Sequence, residues 1–309
     1  MISWRRVVRT VLQLALLLFL GGYLYVNWDD YAHAFAQSAP HWGLLALSSS
    51  VVLVAYAVLI QTWRQVVVAW GEHLTFPTAM RIWFVSNLGK YVPGKIWAIA
   101  AMGTLAQDQG ISPAAAMGSS VVVQLVNLVT GFGVFFIAGA HIIDVPAGFT
   151  AGVIGLGIVL FGAPWLVPGG VRLLNALTGR AVTLPHLPPR AIWWAAAGTA
   201  LAWVLYGVAF QVFAAGMMDG AAPGTLGDWT AIFIGPYLLG FIAVFAPGGA
   251  GVREFFMAEA LQRTGLAVGA MAALLVVSSR VWLTILEIIP GVIFLLVRPS
   301  RRSASSSNK

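Results

Sequence analysis

Runs of about 20 apolar residues recur from one end of this chain to the other, each long enough to cross a hydrocarbon core about 30 Å thick. Residues 7–26, 44–63, 114–140, 147–166, 191–217 and 266–297 read as full spans. Two further apolar stretches, 79–106 and 229–261, are interrupted by Pro-Gly. In lipid every backbone N–H and C=O must be satisfied within the protein, so only helices and closed barrels cross. No run shows the roughly ten-residue alternation of a barrel strand. The expectation is therefore all-α, a polytopic integral membrane helical bundle of about six spans plus two Pro-Gly-broken re-entrant hairpins. Composition agrees, with 60% hydrophobic and 9% charged residues against about 25% charged in a soluble domain. Residues 1–298 read as one transmembrane domain and 299–309 as a polar tail, with no soluble catalytic domain expected.

The formal charge of +7 is dispersed among loops. That is the ordinary cytoplasmic enrichment of Lys and Arg in membrane proteins, and no basic-aromatic cluster suggests a nucleic-acid partner. With no cysteine, disulfides, thiolate nucleophiles and Cys-ligated metals are excluded. The histidines stand far apart, with no i, i+3 or i, i+4 pair, so no metal site and no cofactor is expected. Gly-x-Ser-x-Gly, P-loop and zinc motifs are absent from the sequence. The N-terminus has Arg5, Arg6, an apolar run and the Ala-x-Ala-like Ala32-His33-Ala34. It resembles a signal peptide, but the length of the run favours an uncleaved first helix.

Loop charges orient the chain. Arg5, Arg6 and Arg9 place the N-terminus inside, as do Arg64, Arg81, Lys90 and Lys95 for the loops after the second span. Arg172, Arg180 and Arg190, then Arg298, Arg301 and Arg302, return to that side. Asp29 and Asp30, His141 and Asp144, and Asp219 and Asp228 mark outside loops without Lys or Arg. This alternation closes only if each interrupted stretch returns to the face it left, although Arg253 and Arg263 on the outer side run against the charge rule. The alternative makes 229–246 a full span and splits 266–297 near Arg280.

The two interrupted stretches also resemble each other. Tyr-Val-Pro93-Gly94 is followed 17 residues after the proline by Gly110, and Phe-Ala-Pro247-Gly248 is followed after 18 by Gly265. In the topology above the first hairpin enters from inside and the second from outside, dividing the chain near residue 143. Half-repeats of about 1–143 and 144–298 would make a probable inverted repeat, the pattern of many secondary transporters.

A helix that restarts after such a break presents unpaired N–H groups and the positive end of its dipole, a ready anion site. The sequence adds a cation at each restart, Lys95 after Pro93-Gly94 and Arg253 after Pro247-Gly248-Gly249-Ala250-Gly251. The competing reading is that Lys90 and Lys95 merely snorkel to the headgroups. In the last span Arg280 and Glu287 are seven residues apart, hence on one helical face. Glu254 is the natural second partner for Arg280 if hairpin and span pack together. Ionisable groups at membrane depth are costly and usually face a bundle interior or a cavity. The matching place in the first half holds the neutral Gln124 and Asn127.

"NLGKYVPGKIW" and "APGGAGVREFF", about 150 residues apart, resemble the flippase-like family: the membrane region of lysylphosphatidylglycerol synthases and its stand-alone relatives. The likeness in layout covers nearly the whole chain. It implies an inner-membrane protein that moves lipids or lipid-linked precursors, and it carries over Lys90, Tyr91, Pro93, Gly94, Pro247, Gly248, Gly249, Gly251, Arg253 and Glu254. The soluble aminoacyl-transferase domain of the full-length synthases is absent from this sequence, so aminoacylation is not expected. The leading expectation is a flippase-like transporter of an amphiphile with an anionic or phosphate-bearing head group. Lys95 and Arg253 would bind the head group, and Glu254, Arg280, Glu287, Gln124 and Asn127 would serve gating or coupling. The alternatives are an integral-membrane enzyme acting on a phospholipid or polyprenyl substrate, and a non-transporting partner of an envelope-lipid biosynthetic enzyme.

Overall fold

The computed structural model describes residues 40–91, 97–139, 147–148, 150–158, 161–162, 188–243, 249 and 251–297, and among them there is no strand. Among the described residues the helices with defined bounds run in chain order as α1 (Trp42–Ala69), α2 (Phe76–Asn87), α3 (Trp97–Gln107), α4 (Pro113–Gly139), α5 (Pro189–Met217), α6 (Leu226–Ile242), α7 (Val252–Thr264) and α8 (Gly269–Leu296). A short 3-10 turn, Leu88–Tyr91, continues α2, and residues 150–158 are also helical. Four helices, α1, α4, α5 and α8, are long and apolar enough to cross a membrane, and α6 is a shorter apolar helix. The expected span 7–26 lies outside the described residues.

Each interrupted stretch is a helical pair. The first is α2 and α3, the second α6 and α7, and within each pair the two arms pack together. Both pairs close at their mouths. Before α2, Glu72 Oε1 accepts from the backbone N–H of Ser112, which lies beyond α3, at 3.2 Å. Before α6, a Cβ built on Gly224 would lie 2.6 Å from the side chain of Leu266, beyond α7. Chain entering and chain leaving each hairpin therefore lie side by side, and neither stretch crosses the bundle. The full-span alternative for 229–246 does not fit this geometry, because α6 ends at Ile242 and its partner runs back.

Local chemistry sets these boundaries. At the start of α6, Thr225 Oγ1 accepts from Asp228 N–H at 3.3 Å, and Asp228 Oδ2 accepts from Thr225 N–H at 2.7 Å. That reciprocal box satisfies two amides the helix cannot reach. Each second arm ends on a left-handed glycine, Gly110 at φ +76 and Gly265 at φ +69. Only there can the chain reverse so that Ile111 N–H reaches Ala106 C=O and Ala267 N–H reaches Leu261 C=O.

The helices of the two halves pack reciprocally. Under the exchange of α1 with α5, α2 with α6, α3 with α7 and α4 with α8, several packed pairs have counterparts: α2 against α8 answers α6 against α4, and α3 against α4 answers α7 against α8, whereas the extensive α4–α5 contact is answered only by a slight one between α8 and α1. The pair α1–α5 maps onto itself and is the most extensive interface. It is antiparallel, since His41 N–H bonds Gly216 C=O, Ser48 Oγ bonds Ala209 C=O, and Thr62 abuts Gly198. Because α1 and α5 run in opposite directions, the hairpins that follow them start from opposite ends of the bundle. This is the relation expected between two inverted halves.

The core sits between these layers. Trp229, Phe210, Phe233, Ile60, Leu238 and Met257 are among its fully buried side chains. Small residues allow close crossings, and the built Cβ of Gly207 falls 2.0 Å from Thr230 Oγ1. At the far end of α8, Arg81 Nε donates to Phe294 C=O at 3.2 Å, placing a cation on the negative end of the helix dipole. Pro290 is accommodated inside α8.

Candidate functional site

The second hairpin turns at a crossing so tight that only glycine fits. Gly249 has φ +73, and a Cβ there would lie 3.0 Å from the backbone of Gly240 on α6. Two residues on, Gly251 forms the N-cap of α7, and its N–H donates to Glu254 Oε2 at 2.6 Å. The other carboxylate oxygen of Glu254 faces Arg280 Nη1 of α8 at 3.7 Å, an ion pair without hydrogen-bond geometry. The sequence-stated partnership of Glu254 with Arg280 is thus formed, through packing of α7 on α8.

Arg253 turns inward from the first turn of α7 and is 6% exposed. Its guanidinium lies 5.2 Å from the ring centroid of Phe233 and 5.5 Å from that of Tyr237, both on α6. Such a desolvated cation over two ring faces gains roughly 2 kcal/mol or more. Its Nη2 is buried and has no hydrogen-bond partner among the described residues. A buried guanidinium donor left unmatched is expensive, and it can be matched by an oxygen anion.

The aromatic wall continues from Arg253 across the bundle. Tyr206 of α5 stacks on Phe233 at 5.5 Å, and Tyr56 of α1 meets Tyr206 at 6.1 Å. Trp203 packs edge-on to Tyr237 at 5.2 Å. Tyr237 keeps 37% of its surface accessible, and Tyr206, Arg280 and Glu287 are half-buried.

Arg253, Glu254 and Arg280 thus converge, with Gly249 and Gly251 shaping the turn, and Glu287 follows Arg280 seven residues on along α8. Among the described residues Asn127 approaches the aromatic wall through its backbone carbonyl, which accepts from Trp203 Nε1 at 2.9 Å. Among the described residues nothing links Gln124 to it. Pro93, Gly94, Lys95, Pro247 and Gly248 lie outside the described residues, and of Lys90 and Tyr91 only the backbone is described, in the 3-10 turn. The three tyrosines escaped sequence reasoning. An aromatic residue in an apolar span carries no periodic signal, and only the fold collects them.

Among the described residues no group of three or more His, Cys, Asp or Glu could hold a metal ion. Comparison with curated proteins and with solved structures returns no match. The family model described as the lysylphosphatidylglycerol synthase TM region matches residues 7–288. The match spans nearly the whole bundle, both hairpins included, so the chain belongs to the family of the lysylphosphatidylglycerol synthase transmembrane region.

Proposed function

We propose that this protein is a flippase-like transporter that moves a lipid or lipid-linked precursor with an anionic head group across the cell inner membrane. The observation that carries the reading is Arg253. A cation buried in an aromatic pocket, at the positive end of a helix that starts inside an apolar bundle, with a donor unmatched among the described residues, is suited to a phosphate oxygen. Acyl or prenyl tails would stay in lipid while the head group enters a hollow between the helices beside Arg253. The half-repeats 1–143 and 144–298 would rock so that it opens alternately to each face, with both termini cytoplasmic. The Arg280–Glu254 pair, at 3.7 Å, would part and reform as the gate, and Lys95 of the first hairpin would supply the opposed half-site.

The enzyme alternative draws less support. Glu254, the carboxylate nearest Arg253 in sequence, is committed to Gly251 N–H and to Arg280, a poor arrangement for a general base. Reconstitution in proteoliposomes tests the transport reading. Movement of a labelled anionic phospholipid between leaflets should be fast with the native protein. It should fall at least tenfold in Arg253→Ala, about the loss expected when one charged hydrogen bond is removed. Normal rates in both Arg253→Ala and Lys95→Ala would sink the idea.

A further inference from the structure

Ser48 and Ser49 are neighbours on α1, and their hydroxyls serve two different helices. Ser48 Oγ donates to Ala209 C=O of α5 at 2.6 Å, within the α1–α5 pair. Ser49 stands about 100° further round α1 and accepts from Trp282 Nε1 of α8 at 2.9 Å. The direction of that bond is fixed, because an indole N–H can only donate. Ser49 Oγ in turn donates to Leu45 C=O at 2.8 Å, which leaves its lone pairs to receive the indole. The Trp282 ring also stacks on Phe213 of α5, with centroids 4.5 Å apart and planes inclined by 22°. One side chain of α8 thus engages both helices of the pair.

The setting gives this contact weight. α4 is fastened to α5 at several points: Trp203 Nε1 donates to Asn127 C=O at 2.9 Å, and the hydroxyls of Thr130 and Thr199 share a hydrogen bond of 2.8 Å. By comparison the contact of α8 with α1 and α5 is slight. Trp282 lies at the middle of α8 and at the level of its ion pair. Arg280 precedes it by two residues, about 200° round the helix and about 3 Å along it, so the two side chains leave α8 on nearly opposite faces. On the Arg280 side, α7 supplies Glu254 at 3.7 Å and Met257, whose Sδ is 3.9 Å from Ser279 Oγ. At this level α8 is gripped between α7 and the α1–α5 pair, and whatever fixes Trp282 fixes the distance from Arg280 to Glu254.

We infer that Trp282 is a positioning residue, which pins the middle of α8 to α1 and α5 and so holds Arg280 opposite Glu254. Freed of the pin, α8 swings away from α7 and the seam around Ser279 opens. That the seam serves as a gate rests on the transport reading, and the pin itself does not.

Two single cysteines test the pin in this cysteine-free chain. Ser279, 1% exposed, reports on the α7–α8 seam, and Thr199, fully buried between α4 and α5, reports on packing that Trp282 does not touch. In proteoliposomes N-ethylmaleimide should label Ser279→Cys and Thr199→Cys slowly in the otherwise native protein. Adding Ser49→Ala, or Trp282→Phe with its ring but no donor, should speed labelling of Ser279→Cys about tenfold, as expected for one buried hydrogen bond. Thr199→Cys should stay slow in both backgrounds. Ser49→Thr, which keeps the hydroxyl, should leave Ser279→Cys slow as well. Both deletions remove the same bond, so together they should do no more than either alone. Unchanged labelling of Ser279→Cys in both variants overturns the pin, and so does an equal rise at Thr199→Cys, which would mean general loosening. Should one variant not fold, the other decides by the same factor. Labelling that responds as expected, in vesicles where movement of a labelled anionic phospholipid is absent or unaffected, upholds the pin and overturns the gate assigned to Arg280 and Glu254.

Discussion

Gly249 and Gly265 both have positive φ, yet a methyl group should affect them differently. At Gly249 the new Cβ would meet the Gly240 backbone at 3.0 Å, whereas at Gly265 nothing lies within 4 Å. Gly265→Ala bears only the left-handed strain, about 1–2 kcal/mol. Gly249→Ala adds backbone overlap that cannot relax by rotating a side chain, for a total of about 2–5 kcal/mol. Thermal unfolding in detergent should therefore show a clearly larger drop in melting temperature for Gly249→Ala, with transport lost because Arg253 follows four residues later on the displaced arm. Equal melting of the two variants would contradict the crossing. At this scale the charged half of the site was legible: a carboxylate or guanidinium in an apolar run is conspicuous, and Arg253, Glu254, Arg280 and Glu287 stood out for that reason. The tyrosines did not. Tyr56 and Tyr206 lie 150 residues apart in sequence, and only the antiparallel packing of α1 on α5 makes their rings neighbours.

At the scale of elements, hydropathy located most of the long helices to within a few residues, because lipid allows so few backbone solutions, although the expected 44–63 runs on to Ala69. The expected 114–140 and 191–217 became Pro113–Gly139 and Pro189–Met217. The broken stretches were legible through their Pro-Gly punctuation and terminal glycines. Their depth was harder to read, since loop charge gave opposing signals at Arg253 and Arg263. The structure supplies the missing term. Arg253 is buried against aromatic rings, while Arg263 is exposed and paired with Glu259 at 2.6 Å. Neither is a free loop cation of the kind that sets orientation. The hairpin reading makes a direct expectation for single cysteines in this cysteine-free chain. Thr264→Cys should label with an impermeant maleimide from the same side of the membrane as Asp228→Cys, and from the side opposite Thr75→Cys. Labelling of Thr264→Cys together with Thr75→Cys would mean that α6 and α7 cross rather than return.

For the whole molecule, the reciprocal packing of the halves distinguishes contacts that can move from contacts that cannot. The α1–α5 pair interlocks along its length through small residues, with Gly198 against Thr62 at one end and Gly216 against Leu44 and Leu45 at the other. Interdigitation without space for a methyl group resists sliding, so in the proposed transport cycle this pair would serve as the spine about which the halves turn. The contact between the first hairpin and α8 is different. It is confined to one end, where Phe84 stacks on Phe294 at 5.9 Å and Gly291 sits against Leu88. Rocking would separate such an end contact on one face and leave the spine closed. Disulfides can hold either interface, since the native chain has no cysteine to interfere. The built Cβ of Gly216 lies 3.2 Å from that of Leu44, near the separation of about 3.5–4.5 Å that a disulfide spans. Leu44→Cys with Gly216→Cys should therefore oxidise readily and leave lipid movement in proteoliposomes largely intact. Leu88→Cys with Gly291→Cys should stop movement when oxidised and restore it on reduction. If the spine disulfide blocks transport and the hairpin disulfide does not, the halves turn about a different axis, and the hollow opens by another route than the parting of Arg280 from Glu254.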